Sequence, residues 1–179
     1  SILNSSYAFT AEVTVPEGGG DGMIITQGGR FAGYGLYLDK GKPTFTWNLI
    51  GLERVNWQAP EALAPGKHVI EFDFAYDGLG GGTLAFNNFS GLGQSGTGEL
   101  KVDGKVVASK KMARTLPIIL AWDENMDIGS DTGTPVDDAV YKVPFAFTGK
   151  IDDLKLRIDR PVLSDADKAK LEAAMKTKD

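Results

Sequence analysis

The sequence predicts an all-β protein: an antiparallel β-sandwich or jelly roll followed by one short C-terminal helix. Three observations carry that expectation. Hydrophobic residues recur with a period of two, turn-forming pairs separate the runs, and only the tail of the chain has helical character. The length of 179 residues fits a single domain spanning 1–179, with 164–176 as the helix.

The elements follow in order. Phe9, Ala11, Val13 and Val15 alternate with Thr10, Glu12 and Thr14 until Pro16 stops the run. Ile70, Phe72, Phe74 and Tyr76 alternate with Glu71, Asp73 and Ala75, and Leu154, Leu156 and Ile158 with Lys155, Arg157 and Asp159. Each is a strand with one wet face and one core face, which is the pattern of antiparallel sheets. Asp103-Gly104 between 99–102 and 105–108 signals a two-residue hairpin, and Lys40-Gly41 joins 34–38 to 43–49 in the same way. Further strands are expected at 22–27, 53–58, 83–88, 117–122 and 143–150. Ser164 is placed to cap the helix, with Asp165 and Asp167 in its first turn; Leu171, Ala174 and Met175 form its thin apolar stripe. Eight glycines between Gly78 and Gly98 read as a loop region rather than a domain linker.

Composition excludes several functions. A net charge of −5 and a pI near 4.9 argue against nucleic acid or an anionic membrane as partner. The absence of Cys removes disulfides, thiolate chemistry and Cys-ligated zinc, and is compatible with cytoplasm or periplasm alike. No apolar run approaches the ~20 residues of a membrane span. The opening Ser1-Ile2-Leu3-Asn4, without Met, reads as a piece of a larger protein.

Candidate chemistry is sparse. Gly93-Gln94-Ser95-Gly96 departs from a nucleophile elbow, since Thr97 stands where a glycine is needed. The lone His68 begins a strand, where a structural role is expected. Glu71 and Asp73 share a face, as half of a glucanase motif would, but the third acid is missing. Trp47, Trp57, Trp122, Tyr34 and Tyr37 are expected in the core rather than on a sugar-stacking platform. Asn4 and Asn88 head glycosylation sequons, which arise often by chance. The one constellation to hold is 123–138: Asp123, Glu124, Asp127, Asp131, Asp137 and Asp138, without Lys or Arg among them. Hard oxygen ligands on a glycine-bent loop suit calcium, with Asp123, Asp127 and Asp131 as its candidate ligands. The plainer reading is an acidic surface loop with an Asx turn at Asp131-Thr132-Gly133.

The most distinctive run is Gln27-Gly28-Gly29-Arg30-Phe31, with Gly33 and Gly35-Leu36-Tyr37-Leu38 after it. Gly41-Lys42-Pro43, Asn48 to Arg54, Pro65-Gly66-Lys67-His68, Val102 to Lys105 and Asp127 to Val136 accompany it. Over about residues 4–158 these stretches together resemble the C-terminal domain of long bacterial arylsulfatases. The resemblance implies a concanavalin A/laminin G-like jelly roll attached to a sulfatase catalytic domain, and favours a periplasmic setting slightly. That family's catalysis uses a formylglycine from a Cys/Ser-x-Pro-x-Arg motif, which this chain lacks, so no catalytic residue carries over. The 78–98 region is longer than the family leads one to expect, and the tail after Ile158 lies outside the resemblance. The expected role is a non-catalytic accessory domain, partnered with the catalytic domain of its parent. Arg30 and Arg54 are its candidates for contacting that partner or an anionic substrate such as a sulfate ester. The alternative is an autonomous laminin G-like carbohydrate-binding module, calcium-dependent through 123–138.

Overall fold

The computed structural model of the chain describes residues 2, 4–78, 93–115, 124–159 and 164–176. Asp123, Trp122, the Asn88 sequon, the strands expected at 83–88 and 117–122, and most of the glycine-rich region lie outside the described residues. So do the side chains of Leu171, Ala174 and Met175.

Alternation of small or branched apolar residues with polar ones forms strands β1 (Tyr7–Val15), β2 (Gly22–Gly28), β3 (Gly33–Asp39) and β4 (Lys42–Leu49). The same pattern gives β5 (Glu53–Gln58), β6 (Gly66–Tyr76), β7 (Gly96–Val102) and β8 (Lys105–Met112). Three short strands follow, β9 (Met126–Ile128), β10 (Ser130–Asp131) and β11 (Phe145–Ala146), then β12 (Lys150–Ile158) and helix α1 (Asp165–Lys176). Among the described residues the strands form two sheets. One has the order β12-β1-β6-β7-β8, the other β10-β11-β2-β3-β4-β5, with β9 also paired to β2. Pairing is antiparallel except for the single Ala146–Met23 bridge between β11 and β2. Both expected hairpins are present: Lys40 and Gly41, like Asp103 and Gly104, take successive positive φ values, the geometry that matches strand twist.

The expected strand at 143–150 shrinks to two residues. Pro144 cannot donate to a ladder, and the chain leaves the sheet at Phe147 before β12 begins. Leu154 packs on the core, whereas Leu156 and Ile158 on the same face of edge strand β12 stay partly exposed.

The main core lies between the sheets. Phe45 of β4 stacks on Phe72 of β6 with ring centroids 3.6 Å apart and planes 10° from parallel. Phe9, Tyr34 and Trp57 pack around that pair, each fully buried aromatic contributing about 1.5–3 kcal/mol. A second apolar cluster, Met23, Tyr37, Val136 and Tyr141, lies apart from the main one. Tyr37 alternates along β3 with the core residues Leu36 and Leu38, so this cluster covers the outer face of the second sheet. A strap running from Thr134 to Phe147 supplies its cover through Val136, Val140, Tyr141, Val143 and Phe145, and Thr44, Thr46 and Asn48 on that face of β4 are buried as well. Gly35 permits the fit, since a Cβ there would stand 3.2 Å from both Met23 and Val136 side-chain carbons.

Helix α1 carries a capping box. Ser164 Oγ accepts from the Asp167 amide at 3.2 Å, and Asp167 Oδ2 accepts from the Ser164 amide at 3.1 Å. Among the described residues no helix is long and apolar enough to cross a membrane.

Candidate functional site

The glycine run makes a tight bend between β2 and β3. Gly29 donates to the Ala32 carbonyl at 3.0 Å, closing the turn. Gly29 is required by close approach: a Cβ there would lie 2.3 Å from Thr134 Oγ1 and 2.5 Å from Glu124 Oε2. The strap therefore rests on the bend, and Thr134 Oγ1 also accepts from the Arg30 amide at 2.9 Å.

Asn48, buried on β4, ties this bend to the β4–β5 turn. Its amide donates to the Gly29 and Arg30 carbonyls at 2.8 and 2.9 Å, and its oxygen accepts from the Gly51 amide at 2.9 Å. The two loop tips thus sit side by side. They present Phe31, 60% exposed, and Leu52, 86% exposed.

Arg30 and Arg54, 24 positions apart in the chain, meet at one carboxylate. Arg54 Nη2 lies 3.0 Å from Asp138 Oδ1, and Arg30 Nε lies 3.5 Å from Asp138 Oδ2. Arg54 Nε also donates to the Val136 carbonyl at 3.2 Å. Next to it, Asn56 donates to Asp137 Oδ2 at 2.9 Å. The outward side chains of β5 therefore latch the strap. Two guanidiniums thus share the Asp138 carboxylate.

Glu124, Asp127 and Asp131, the other described acids of the stretch, each hold a protein donor. Glu124 Oε1 accepts from the Thr134 amide at 2.8 Å and from its hydroxyl. Asp127 Oδ2 accepts from the Thr132 hydroxyl at 3.1 Å. Asp131 Oδ1 accepts from the Gly133 amide at 3.2 Å, which is the expected Asx turn. Its Oδ2 accepts from the Tyr141 hydroxyl at 2.5 Å. Burial pushes the Asp131 carboxyl above its ordinary value, with these two hydrogen bonds opposing the shift in part. Burial likewise pushes the Tyr141 hydroxyl well up, and its bond to Asp131 adds to that. Glu124, Asp127 and Asp131 border a cleft of about 160 Å³, shared with Thr26, Gly28 and Gly133. Among the described residues no three His, Cys, Asp or Glu side chains are grouped so as to hold a metal ion.

The other candidates take structural places. His68 bridges Asp103 Oδ2 at 2.8 Å and the Ala64 carbonyl at 2.9 Å, pinning the β7–β8 turn to the start of β6. Asp73 pairs with Lys101 at 2.6 Å across the solvated sheet face. Ser95 donates to Asp77, and Gly96 opens a strand, so 93–96 forms no strand-to-helix elbow. Trp47, Trp57, Tyr34 and Tyr37 are all buried. Asn4 is buried too, its oxygen accepting from the Thr115 hydroxyl at 3.0 Å. Sequence reasoning named both arginines but missed Phe31, Leu52, Asn48 and the role of Asp138. The Asn-x-x-Gly spacing of Asn48 and Gly51 was the available signal for the clamp.

No protein-family model matches the sequence, and no curated protein matches it. Solved structures do. The mouse laminin α1 chain, domains LG4-5, superposes with a TM-score of 0.55 at 17% identity, covering 93% of this chain and 40% of that one. The CBM40 of the Ruminococcus gnavus IT-sialidase, bound to α2,3-sialyllactose, gives 0.53 at 14% identity over 92% and 80%. A leech intramolecular trans-sialidase gives 0.54 at 14% identity over 92% and 22%. The chain thus spans two-fifths of the laminin chain and four-fifths of the sialidase module. The fold is a laminin G-like, concanavalin A-like β-sandwich. The arylsulfatase kinship read from the sequence has no counterpart among these matches.

Proposed function

We propose that this domain is a binding module for acidic saccharides, with its site on the rim formed by the 29–32 bend, the 49–52 turn and the strap. The observation that carries this reading is the convergence of Arg30 and Arg54 beside two exposed apolar tips. A guanidinium offers a planar fork that fits a carboxylate or sulfate. The exposed Phe31 ring offers a flat apolar surface to the C–H face of a sugar, with its polar neighbours setting orientation. The sialyllactose-bound neighbour supports the ligand class through shared fold alone.

The accessory-domain reading uses the same rim to meet a sulfatase catalytic domain. The comparisons give that parentage no support, so the binding module is preferred. Calcium belongs to this proposal as a separate element, with Asp123, Asp127 and Asp131 as its candidate ligands, the latter two bordering the cleft. A resident ion bound to the native state must raise the melting temperature. Chelation that lowers Tm supports the ion, and an unchanged Tm removes it.

Isothermal calorimetry with α2,3-sialyllactose, a heparin tetrasaccharide and lactose tests the main reading. Saturable heat with an acidic ligand and none with lactose supports it. No heat with any of them, or equal binding of lactose, overturns it. Turnover of an aryl sulfate by this chain would contradict a purely binding role.

A further inference from the structure

We propose that Asp138 is a resident competitor: its carboxylate occupies the seat that the acid group of the ligand takes, and binding requires it to swing aside. This inference rests on the acidic-saccharide reading and adds a regulatory element to the same site.

Four observations carry it. First, Asp138 divides its carboxylate between two guanidiniums, Oδ1 standing 3.0 Å from Arg54 Nη2 and Oδ2 3.5 Å from Arg30 Nε. One carboxylate cannot satisfy the donor forks of two arginines. Both cations therefore retain donors for a better-placed anion. Second, the pair is accessible, with the Asp138 side chain 40% exposed and that of Arg54 26% exposed. Ion pairs at such exposure are weak and exchange readily.

Third, the arginine does not depend on Asp138 for its aim. Arg54 Nε is fixed by the Val136 carbonyl, which stays in place when the Asp138 side chain rotates. Fourth, the backbone beneath Asp138 is independently held. The Val140 and Tyr141 amides donate to the Asp137 carbonyl at 3.1 and 3.2 Å. The Asp137 side chain meanwhile accepts from Asn56 and from the Ala139 amide. Displacement thus needs one side-chain rotation and no loop rearrangement. An acid group entering with Asp138 still seated would face a like charge within a few ångström, which opposes binding.

The test compares Asp138→Asn with the wild type by calorimetry, using α2,3-sialyllactose and a heparin tetrasaccharide. Asn keeps the shape and one acceptor while removing the charge. The expected result is binding at least about fivefold tighter in the variant, since both the resident pair and the repulsion are removed. Equal or weaker binding by Asp138→Asn overturns the inference, because it would make Asp138 a positioning residue for the arginines. The combined variant Arg54→Ala/Asp138→Asn provides the second readout: the gain from Asp138→Asn should be smaller on the Arg54→Ala background than on the wild type, because one of the two pairs is already gone, and an equal or larger gain there would also overturn the inference. Absence of acidic-ligand heat in both wild type and Asp138→Asn would instead sink the site reading itself, a distinguishable result. Binding seen only after Asp138→Asn would support both.

Discussion

Arg54 donates its Nε to the Val136 carbonyl at 3.2 Å, a bond between a strand of the second sheet and the strap laid across it. That contact fixes the direction of the guanidinium within the folded chain. It also makes the strap part of the site: the chain that buries the outer face of β3 and β4 delivers Asp138 to the two arginines. Loop tips on a rigid sandwich are where binding residues concentrate, because the sheets fix what the loops present.

Arg54→Ala should weaken acidic-saccharide binding more than Arg30→Ala. Arg54 is the better ordered of the two, held at two atoms, whereas Arg30 is more exposed and held at one. Loss of a charge-assisted contact corresponds to at least about tenfold in affinity. Both variants should also flatten the salt dependence of binding. Calorimetry at two ionic strengths checks this, and a larger effect from Arg30→Ala would argue that the Arg54 bond to Val136 leaves it too constrained to serve.

Asn48→Ala should cost about 2–4 kcal/mol, because it leaves the Gly29 and Arg30 carbonyls and the Gly51 amide without their buried partner. Denaturant unfolding measures this directly. A change below about 0.5 kcal/mol would show that water replaces the clamp at no cost.

Gly29→Ala places a methyl group within 2.5 Å of Glu124 and Thr134 atoms. The strap must lift or the bend must shift, at about 1–3 kcal/mol. The same substitution at Gly104, where a Cβ meets nothing within 4 Å but φ is +79°, should be destabilising through backbone conformation alone. Parallel unfolding curves, read together with saccharide binding, separate the two mechanisms: only Gly29→Ala should impair binding.

Asp131 gives a pH signature of opposite sign to an ordinary paired acid. Its folded-state value lies above the ordinary 3.8, so its favourable contribution is complete below that value and is lost as pH rises through the folded one. The stability of the wild type relative to Asp131→Asn should therefore fall as pH is raised from about 3 through the carboxylate range. Asp103 behaves conversely. Partial burial pushes its carboxyl up, but the Val69 amide, His68 and Lys105 together bring it below 3.8. Its contribution is present above that value and lost on acidification. Unfolding of Asp131→Asn and Asp103→Asn across pH checks both signs. A rising difference for Asp131 would contradict the burial assigned to it.

The parts of the fold that face one core were legible in the sequence. β1 and β6 alternate cleanly because one side meets Phe45 and Trp57 across the sandwich while the other meets water. The strap was not legible. Residues 134–142 carry no period, since they pack as irregular chain, and Thr44, Thr46 and Asn48 look like a solvent face although they are buried. One clue was present: in Gly35-Leu36-Tyr37-Leu38 large apolar side chains occupy both faces, the mark of a strand covered twice. Of the site, the arginines were legible as isolated charges. Their convergence depends on a strap more than 80 residues further along the chain than Arg54, and no local pattern encodes that distance. The acidic stretch reads as calcium-like because its carboxylates are dense; the donors that Asp127, Asp131, Asp137 and Asp138 also serve, among them Thr132, Tyr141, Asn56 and Arg54, are set by contacts that composition alone does not show.

The proposed seat for acidic saccharides is the arginine rim. Backbone amide chemical-shift mapping during titration with α2,3-sialyllactose, against lactose as control, tests it most directly. Saturable shifts concentrated at 29–32, 50–54 and 136–139 are expected, with lactose silent. Shifts confined to the outer face of the β12-β1-β6-β7-β8 sheet, or none at saturating ligand, would contradict it.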